Sequence, residues 1–506
     1  GGILGFIERI GNKIPDITIL FISAFLLVCV VSAVLAQIHF NYVHPATGRP
    51  IEITNMLSGK ALVDLMSKMV TNYANFPPLS MVIVATLGIG IADGSGYINT
   101  GLKKILSITP KVLITPVVIL VGMLSHLGPD SGYVIIIPIA AYMFYAVGKH
   151  PLAGIAASFA GIAGAFAANY TPSAIDPVIQ GFTQSAAQII DPGYQVNVLC
   201  NYFYAFASTF IVIGACWWVT EKITNPWLWK ACPIDEDLDL GNENNSSITP
   251  SENRAFKIAT AVLLLMLTGL AAALYPADSI LRAPDGVVAS FKAPIMQSIV
   301  SLIFIFAALV GLVYGISCGK FKSPKDVTAA MEEITKTLVQ LIVFYFFAAQ
   351  FLYAFGASNM GALIAVSGAE FLKSLNLPPQ VTVFGIIVFV ALLNLIITSA
   401  SAKWAILAPI FVPMLMAVGI APELTQVAFR VSDSAVNVVT PMFAFYPLII
   451  LYCQKYVKNA GIGTLSSMML PYTIALLVSL TFMLYLFWWL DIPLGFQADY
   501  VYPRRF

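Results

Sequence analysis

The chain has 506 residues, 59% of them hydrophobic and 10% charged, with a formal net charge of +1 and a mean hydropathy of +0.86. An ordinary soluble domain carries roughly 25% charged residues, so these charges are too few to cover a water-facing surface. Near-zero net charge without a long basic run also excludes a nucleic-acid-binding protein.

The first apolar run, 17–36, is long enough to cross a bilayer and too long for a signal-peptide core, so it is expected to stay as a membrane helix. Further runs of spanning length recur near 111–127, 132–148, 151–170, 200–220, 258–275, 294–315, 380–400, 404–419, 424–445 and 464–490. Two long apolar stretches, 78–107 and 337–373, are interrupted by Ala92-Asp93-Gly94-Ser95-Gly96 and by Gly356-Ala357-Ser358-Asn359-Met360-Gly361. Both read as re-entrant helical hairpins. Between the halves lies a polar segment, 221–257, with Lys222, Lys230, Arg254 and Lys257, and a second basic segment, 315–337, has Lys320, Lys322, Lys325 and Lys336. The positive-inside bias puts both segments, and the N-terminus with them, in the cytoplasm. Cys29, Cys200, Cys216, Cys232, Cys318 and Cys453 are scattered, without a C-x-x-C pair or histidines at ligand spacing, so they read as packing residues and no metal site is expected.

The strongest signal is an internal repeat. Residues 133–151 align with 404–422: Tyr133 falls on Trp404, Pro138 on Pro409, Ala146-Val147-Gly148 on Ala417-Val418-Gly419, and Pro151 on Pro422. With a two-residue gap, Thr171-Pro172 falls on Thr440-Pro441. The expected fold is therefore an all-α polytopic membrane protein of two inverted structural repeats. Repeat one runs over about 60–220 with hairpin 78–107, and repeat two over about 330–490 with hairpin 337–373. Paired, interrupted repeats are the architecture of secondary transporters, whose broken helices meet at a midplane binding site.

Ionisable side chains at membrane depth are costly and mark candidate functional positions. Asp176 sits between Pro172 and Pro177, where a regular helix is interrupted, and its competing reading is a helix cap. Arg430 and Asp433 are three residues apart, so they share a helix face and can pair; the aligned segment of repeat one is uncharged. Asn394, Thr398, Ser399, Ser401, Lys403 and Trp404 cluster between two apolar runs, where hydroxyls and amides can hold an ion or a carboxylate and Trp404 offers a face for an aromatic ring. The alternative there is an interfacial Trp and Lys belt. Asp130 is open between loop and site, and His126 reads as interfacial.

Ser401-Ala402-Lys403-Trp404-Ala405, Arg430-Val431-Ser432-Asp433-Ser434, Asn437-Val438-Val439-Thr440-Pro441 and Ile175-Asp176-Pro177 resemble the motifs of the p-aminobenzoyl-glutamate transporter (AbgT) family, over essentially the whole chain and most of all its gonococcal-type drug-efflux branch. The resemblance implies a bowl-shaped homodimer in the bacterial inner membrane, with about nine transmembrane helices and two hairpins per subunit. It further implies ion-driven transport of p-aminobenzoyl-glutamate, a small aromatic carboxylate, and export of sulfonamide antimetabolites. Carried over by position, the functional residues would be Asp176, Asn394, Ser401, Trp404, Pro422, Arg430, Asp433 and Pro441. No cofactor is expected; the coupling ion is a proton or sodium, with a site near Asp176 and Asp433. Direction of transport stays open. Rival readings are a dicarboxylate transporter of similar architecture, a channel, and an intramembrane enzyme using the two aspartates.

Overall fold

A computed structural model describes residues 15–45, 47–127, 132–235 and 247–505. The helices that organise the fold are, in chain order, α1 (Ile17–Leu35), α2 (Gly59–Ala74), α3 (Pro77–Ser95), α4 (Tyr97–Ser107), α5 (Ile114–Leu124), α6 (Ile137–Ala146), α7 (Pro151–Phe159), α8 (Ile175–Ala187) and α9 (Tyr202–Val219). They continue with α10 (Pro250–Leu274), α11 (Ile299–Ser317), α12 (Pro324–Thr335), α13 (Val339–Ala357), α14 (Met360–Ser374) and α15 (Pro379–Asn394), then α16 (Ala400–Ala417), α17 (Pro422–Val436), α18 (Tyr446–Gln454) and α19 (Ile462–Trp489). Among the described residues the only extended pairings are isolated bridges, Val43 with Pro50 and Ile420 with Val501.

Among the described residues, eight helical stretches are long and apolar enough to span a membrane, or up to ten if each of two bent pairs counts as one span. The expected nine lies inside that bracket. Several apolar runs do not cross as unbroken helices. The run 132–148 becomes a π-turn (Gly132–Ile136) and the ten-residue α6; 151–170 becomes the nine-residue α7 and another π-turn (Ala160–Gly164). The run 424–445 yields α17, whose 15 residues at 1.5 Å each fall short of a roughly 30 Å hydrocarbon core. Hydropathy measures only the apolar content of a run, not whether its hydrogen-bond ladder is continuous.

The expected hairpin interruptions are present. Gly96, at φ 93°, separates α3 from α4, and Ser358 and Asn359, the latter at φ 62°, separate α13 from α14. Each is followed by a fold-back: Tyr97–Ser107 meets Lys111–Leu124 at 119°, and Met360–Ser374 meets Pro379–Asn394 at 117°. The polar segment 221–257 is not a loop throughout. Helix continues from α9 through a π-turn (Thr220–Thr224) to Ala231, and α10 begins at Pro250 behind a capping box in which Thr249 and Glu252 satisfy each other's backbone amides.

Every helix from α2 to α9 has a counterpart from α12 to α19, and the aligned sequence motif has a local cause. In α6 the amides of Gly148 and Lys149 bond the carbonyls of Tyr145 and Phe144; in α16 those of Gly419 and Ile420 bond Met416 and Leu415. Both are Schellman caps with glycine at positive φ, 78° and 90°. Pro151 and Pro422 then open the next helices at a first-turn position that needs no N–H donor. The repeats also exchange partners: α8 packs on α16 and α17, while its counterpart α18 packs on α6 and α7. At the centre, α7 and α17 are buried along their whole length.

Candidate transport site

Although fully buried, α17 carries Glu423, Gln426, Arg430, Ser432, Asp433 and Ser434. Buried charge is tolerated only when paired and hydrogen-bonded, and the partners come from the helix breaks around it.

Asp176 stands in the first turn of α8, just after the interruption 165–174. Its Oδ2 accepts from the Ser173 backbone N–H at 2.8 Å, and its Oδ1 from Arg430 Nη1 at 2.8 Å. The carboxylate therefore caps no amide of α8; it holds the backbone just before the helix and pairs with a charge from the other repeat. The pairing expected between Arg430 and Asp433 is not what forms. Asp433 is instead 2.6 Å from the ammonium of Lys403, which is wholly buried. Helical spacing makes a pair possible, but the guanidinium reaches across to Asp176 because Lys403 already neutralises Asp433.

Lys403 also donates to Asn394 Oδ1 and, at 3.1 Å, to the carbonyl of Ile397 in the unwound stretch between α15 and α16. Asn394 in turn donates to the Asp433 carbonyl at 2.6 Å and to Asn437 Oδ1 at 3.1 Å. These groups knit two breaks of repeat two together. Lys403 is therefore a central member of the site that the carried-over residues did not include. Its signal was its position: a lysine inside an apolar run one turn into a helix whose start is itself interrupted.

Trp404 is fully buried, which excludes the interfacial belt, and its ring is already covered by Phe429, stacked at 4.4 Å and 23°. Its Nε1 donates to Thr183 on α8, whose hydroxyl donates to Gln426 on α17, and Gln426 donates to Asn201. The residue expected to face an aromatic solute is a strut joining the repeats. Pro422 initiates α17, two turns from Arg430, and Pro441 follows Thr440, whose hydroxyl bonds the Leu395 carbonyl. Neither proline borders the cavity on which Ser401 opens.

That cavity, about 420 Å³, opens where four interruptions converge. It is bordered by Ser125, His126 and Tyr133 from the first, Phe166 and Ser173 from the second, Ser401 at the start of α16, and Phe443 with Phe445 from the last. His126, expected at the interface, is part of this wall and sits against the Ile162 carbonyl. Of the carried-over residues only Ser401 lines it directly. Arg430 and Asp176 border a narrow adjoining cleft with Asn169, Thr171 and Tyr202, and Lys403, Asp433 and Asn394 lie behind the wall. Asp130 lies outside the described residues.

Repeated, broken helices enclosing a cavity backed by buried ion pairs define a multi-span membrane transporter. The family model for the "AbgT putative transporter family" matches residues 2–502, and the chain belongs to that family. It is 33% identical to the p-aminobenzoyl-glutamate transport protein of Escherichia coli K12 over 506 residues, 100% of this chain and 97% of that one. Among solved structures it resembles MtrF of Neisseria gonorrhoeae, described as illuminating a class of antimetabolite efflux pumps, with TM-score 0.92, 39% identity, and coverage of 98% of this chain and 100% of that one. It also resembles the YdaH transporter of Alcanivorax borkumensis, with TM-score 0.89, 37% identity, and coverage of 95% and 100%.

Proposed function

We propose that the chain is an ion-gradient-driven secondary transporter of p-aminobenzoyl-glutamate-like folate metabolites that also exports sulfonamide antimetabolites. The observation that carries this reading is the opening of two half-helix starts, α8 from one repeat and α16 from the other, onto a single cavity at Ser173 and Ser401. Helix N-termini present unsatisfied N–H groups and a partial positive charge, so the pair suits an anionic solute. The remaining wall is largely apolar and aromatic, which favours an aryl carboxylate over a small dicarboxylate.

Asp176 and Asp433 are the carboxylates we assign to coupling, because a proton or sodium ion competes there with Arg430 and Lys403 for the same oxygens. Arg430 also serves the solute, passing from Asp176 to a substrate carboxylate as the site fills. In this reading the protein works as a homodimer in the bacterial inner membrane, embedded in lipid, with its N-terminus in the cytoplasm.

Reconstituted proteoliposomes provide the test. Labelled p-aminobenzoyl-glutamate, a sulfonamide and succinate are offered under imposed proton or sodium gradients. Gradient-dependent flux of the two aryl compounds supports the proposal. Flux of succinate in preference to both assigns the chain to dicarboxylates, and dissipation of the ion gradient with no solute attached makes it a channel.

A further inference from the structure

Tyr133 occupies in repeat one the position that Trp404 occupies in repeat two. The two rings have different fates. Trp404 is sealed against Phe429, whereas Tyr133 is only partly buried, borders the cavity and stacks on Phe445 at 4.1 Å and 7°. Phe443 adjoins both, 5.8 Å from Tyr133 and 6.1 Å from Phe445, and Phe166 extends the ring-lined wall. The pair Tyr133–Phe445 joins an interruption of one repeat to an interruption of the other, and Ser401 lies in the same cavity.

We propose that Tyr133, Phe443 and Phe445 form the subsite for the aromatic ring of the transported solute, and that they set its preference for aryl carboxylates. This rests on the anion-binding reading of the cavity above and adds which residues read the uncharged end. Aromatic rings attract one another through complementary quadrupoles in stacked and edge-on geometries, beyond the area they bury. A ring added to this wall meets aromatic surface from both repeats, while its carboxylate-bearing end lies toward the two helix starts.

The experiment measures dissociation constants of p-aminobenzoyl-glutamate, sulfanilamide and the ring-free N-acetylglutamate for the full-length protein in detergent and for Tyr133→Leu, Tyr133→Phe and Phe443→Leu. Leucine keeps apolar bulk and removes the ring. The expected result is a loss of about threefold to tenfold for both aryl compounds in the leucine variants, unchanged binding of N-acetylglutamate, and recovery of p-aminobenzoyl-glutamate binding in Tyr133→Phe. Unchanged aryl binding in the leucine variants overturns the subsite, as does an equal loss for N-acetylglutamate. Should one leucine variant fail to fold, the other decides. Absence of aryl binding by the unaltered protein is a distinct result that overturns the substrate reading and the subsite together.

Discussion

Arg430 donates to Asp176, 254 positions away, at 2.8 Å, rather than to Asp433 one turn along its own helix. The bond ties the first turn of α8 to the middle of α17, so it joins the two repeats beside a narrow cleft. Removing the guanidinium leaves a buried carboxylate with only the Ser173 groups to hold it.

Arg430→Ala is therefore expected to destabilise the protein by about 3 kcal/mol, in the range for breaking a buried pair. The double variant Arg430→Ala with Asp176→Ala should recover melting temperature, whereas Arg430→Ala with Asp433→Ala should not. Transport separates a further pair of roles. If Arg430 is shared with the solute, Arg430→Lys, which keeps Asp176, folds but binds poorly because a point charge cannot make a bidentate contact. Robust flux through the stable double variant would reduce Arg430 to a structural partner.

Trp404 should act on stability before affinity. Trp404→Ala removes a fully buried ring and the hydrogen bond to Thr183, an expected cost of about 3–5 kcal/mol. Trp404→Phe keeps a ring against Phe429 and gives up the bond, leaving the Thr183 hydroxyl to Gln426 and the Ile179 carbonyl. Melting curves and binding isotherms measured together distinguish the roles. A normal melting temperature with weakened aryl binding in Trp404→Phe would return Trp404 to the solute.

What the sequence disclosed follows from which features are local. The repeat was visible because a Schellman cap demands glycine at Gly148 and Gly419, and the following turns accept proline at Pro151 and Pro422. The interruptions at Gly96 and Asn359 were visible for a similar reason, since small and polar residues replace an apolar run there. Ion-pair partners were not visible. The choice of Arg430 between Asp433 and Asp176 depends on α8 and α17 being brought together, and on Lys403 reaching Asp433 first. Likewise, nothing in the residue types distinguishes the sealed ring of Trp404 from the cavity-facing ring of its repeat mate Tyr133.

The C-terminal segment offers a pH test away from the membrane-spanning helices. Burial works to raise the Asp499 carboxyl, but the Arg505 side chain and the backbone amides of Arg505, Tyr500 and Val501 outweigh it and hold the group below its ordinary value. A depressed folded-state pKa gives stability that is fully present above the unfolded value of about 3.9 and is lost as pH falls from there through the folded value. Asp499→Asn should lower the melting temperature at neutral pH and flatten its decline below pH of about 4. An unchanged acid limb would show that other carboxylates dominate it.

The last test concerns Lys403, whose ammonium meets the Asp433 carboxylate, the Asn394 amide oxygen and the Ile397 carbonyl. Lys403→Met keeps an unbranched apolar stem and deletes the charge, leaving Asp433 buried without its neutralising partner. A loss of several kcal/mol is expected, of about 3–5 kcal/mol for a broken buried pair. Replacing both members, Lys403→Met with Asp433→Leu, removes the uncompensated charge and should restore much of the melting temperature, since an apolar substitute for a buried pair is often neutral or stabilising. The Asn394 side chain retains its bond to Asn437 in that double variant, so the break between α15 and α16 keeps a polar tie. Function should not return with stability. Coupling requires a group that changes partners as the protein cycles, and a methionine facing a leucine offers no charge for an ion to displace. Gradient-driven flux by the restored double variant at the level of the unaltered protein would assign Lys403 and Asp433 to architecture and leave Asp176 alone as the coupling carboxylate.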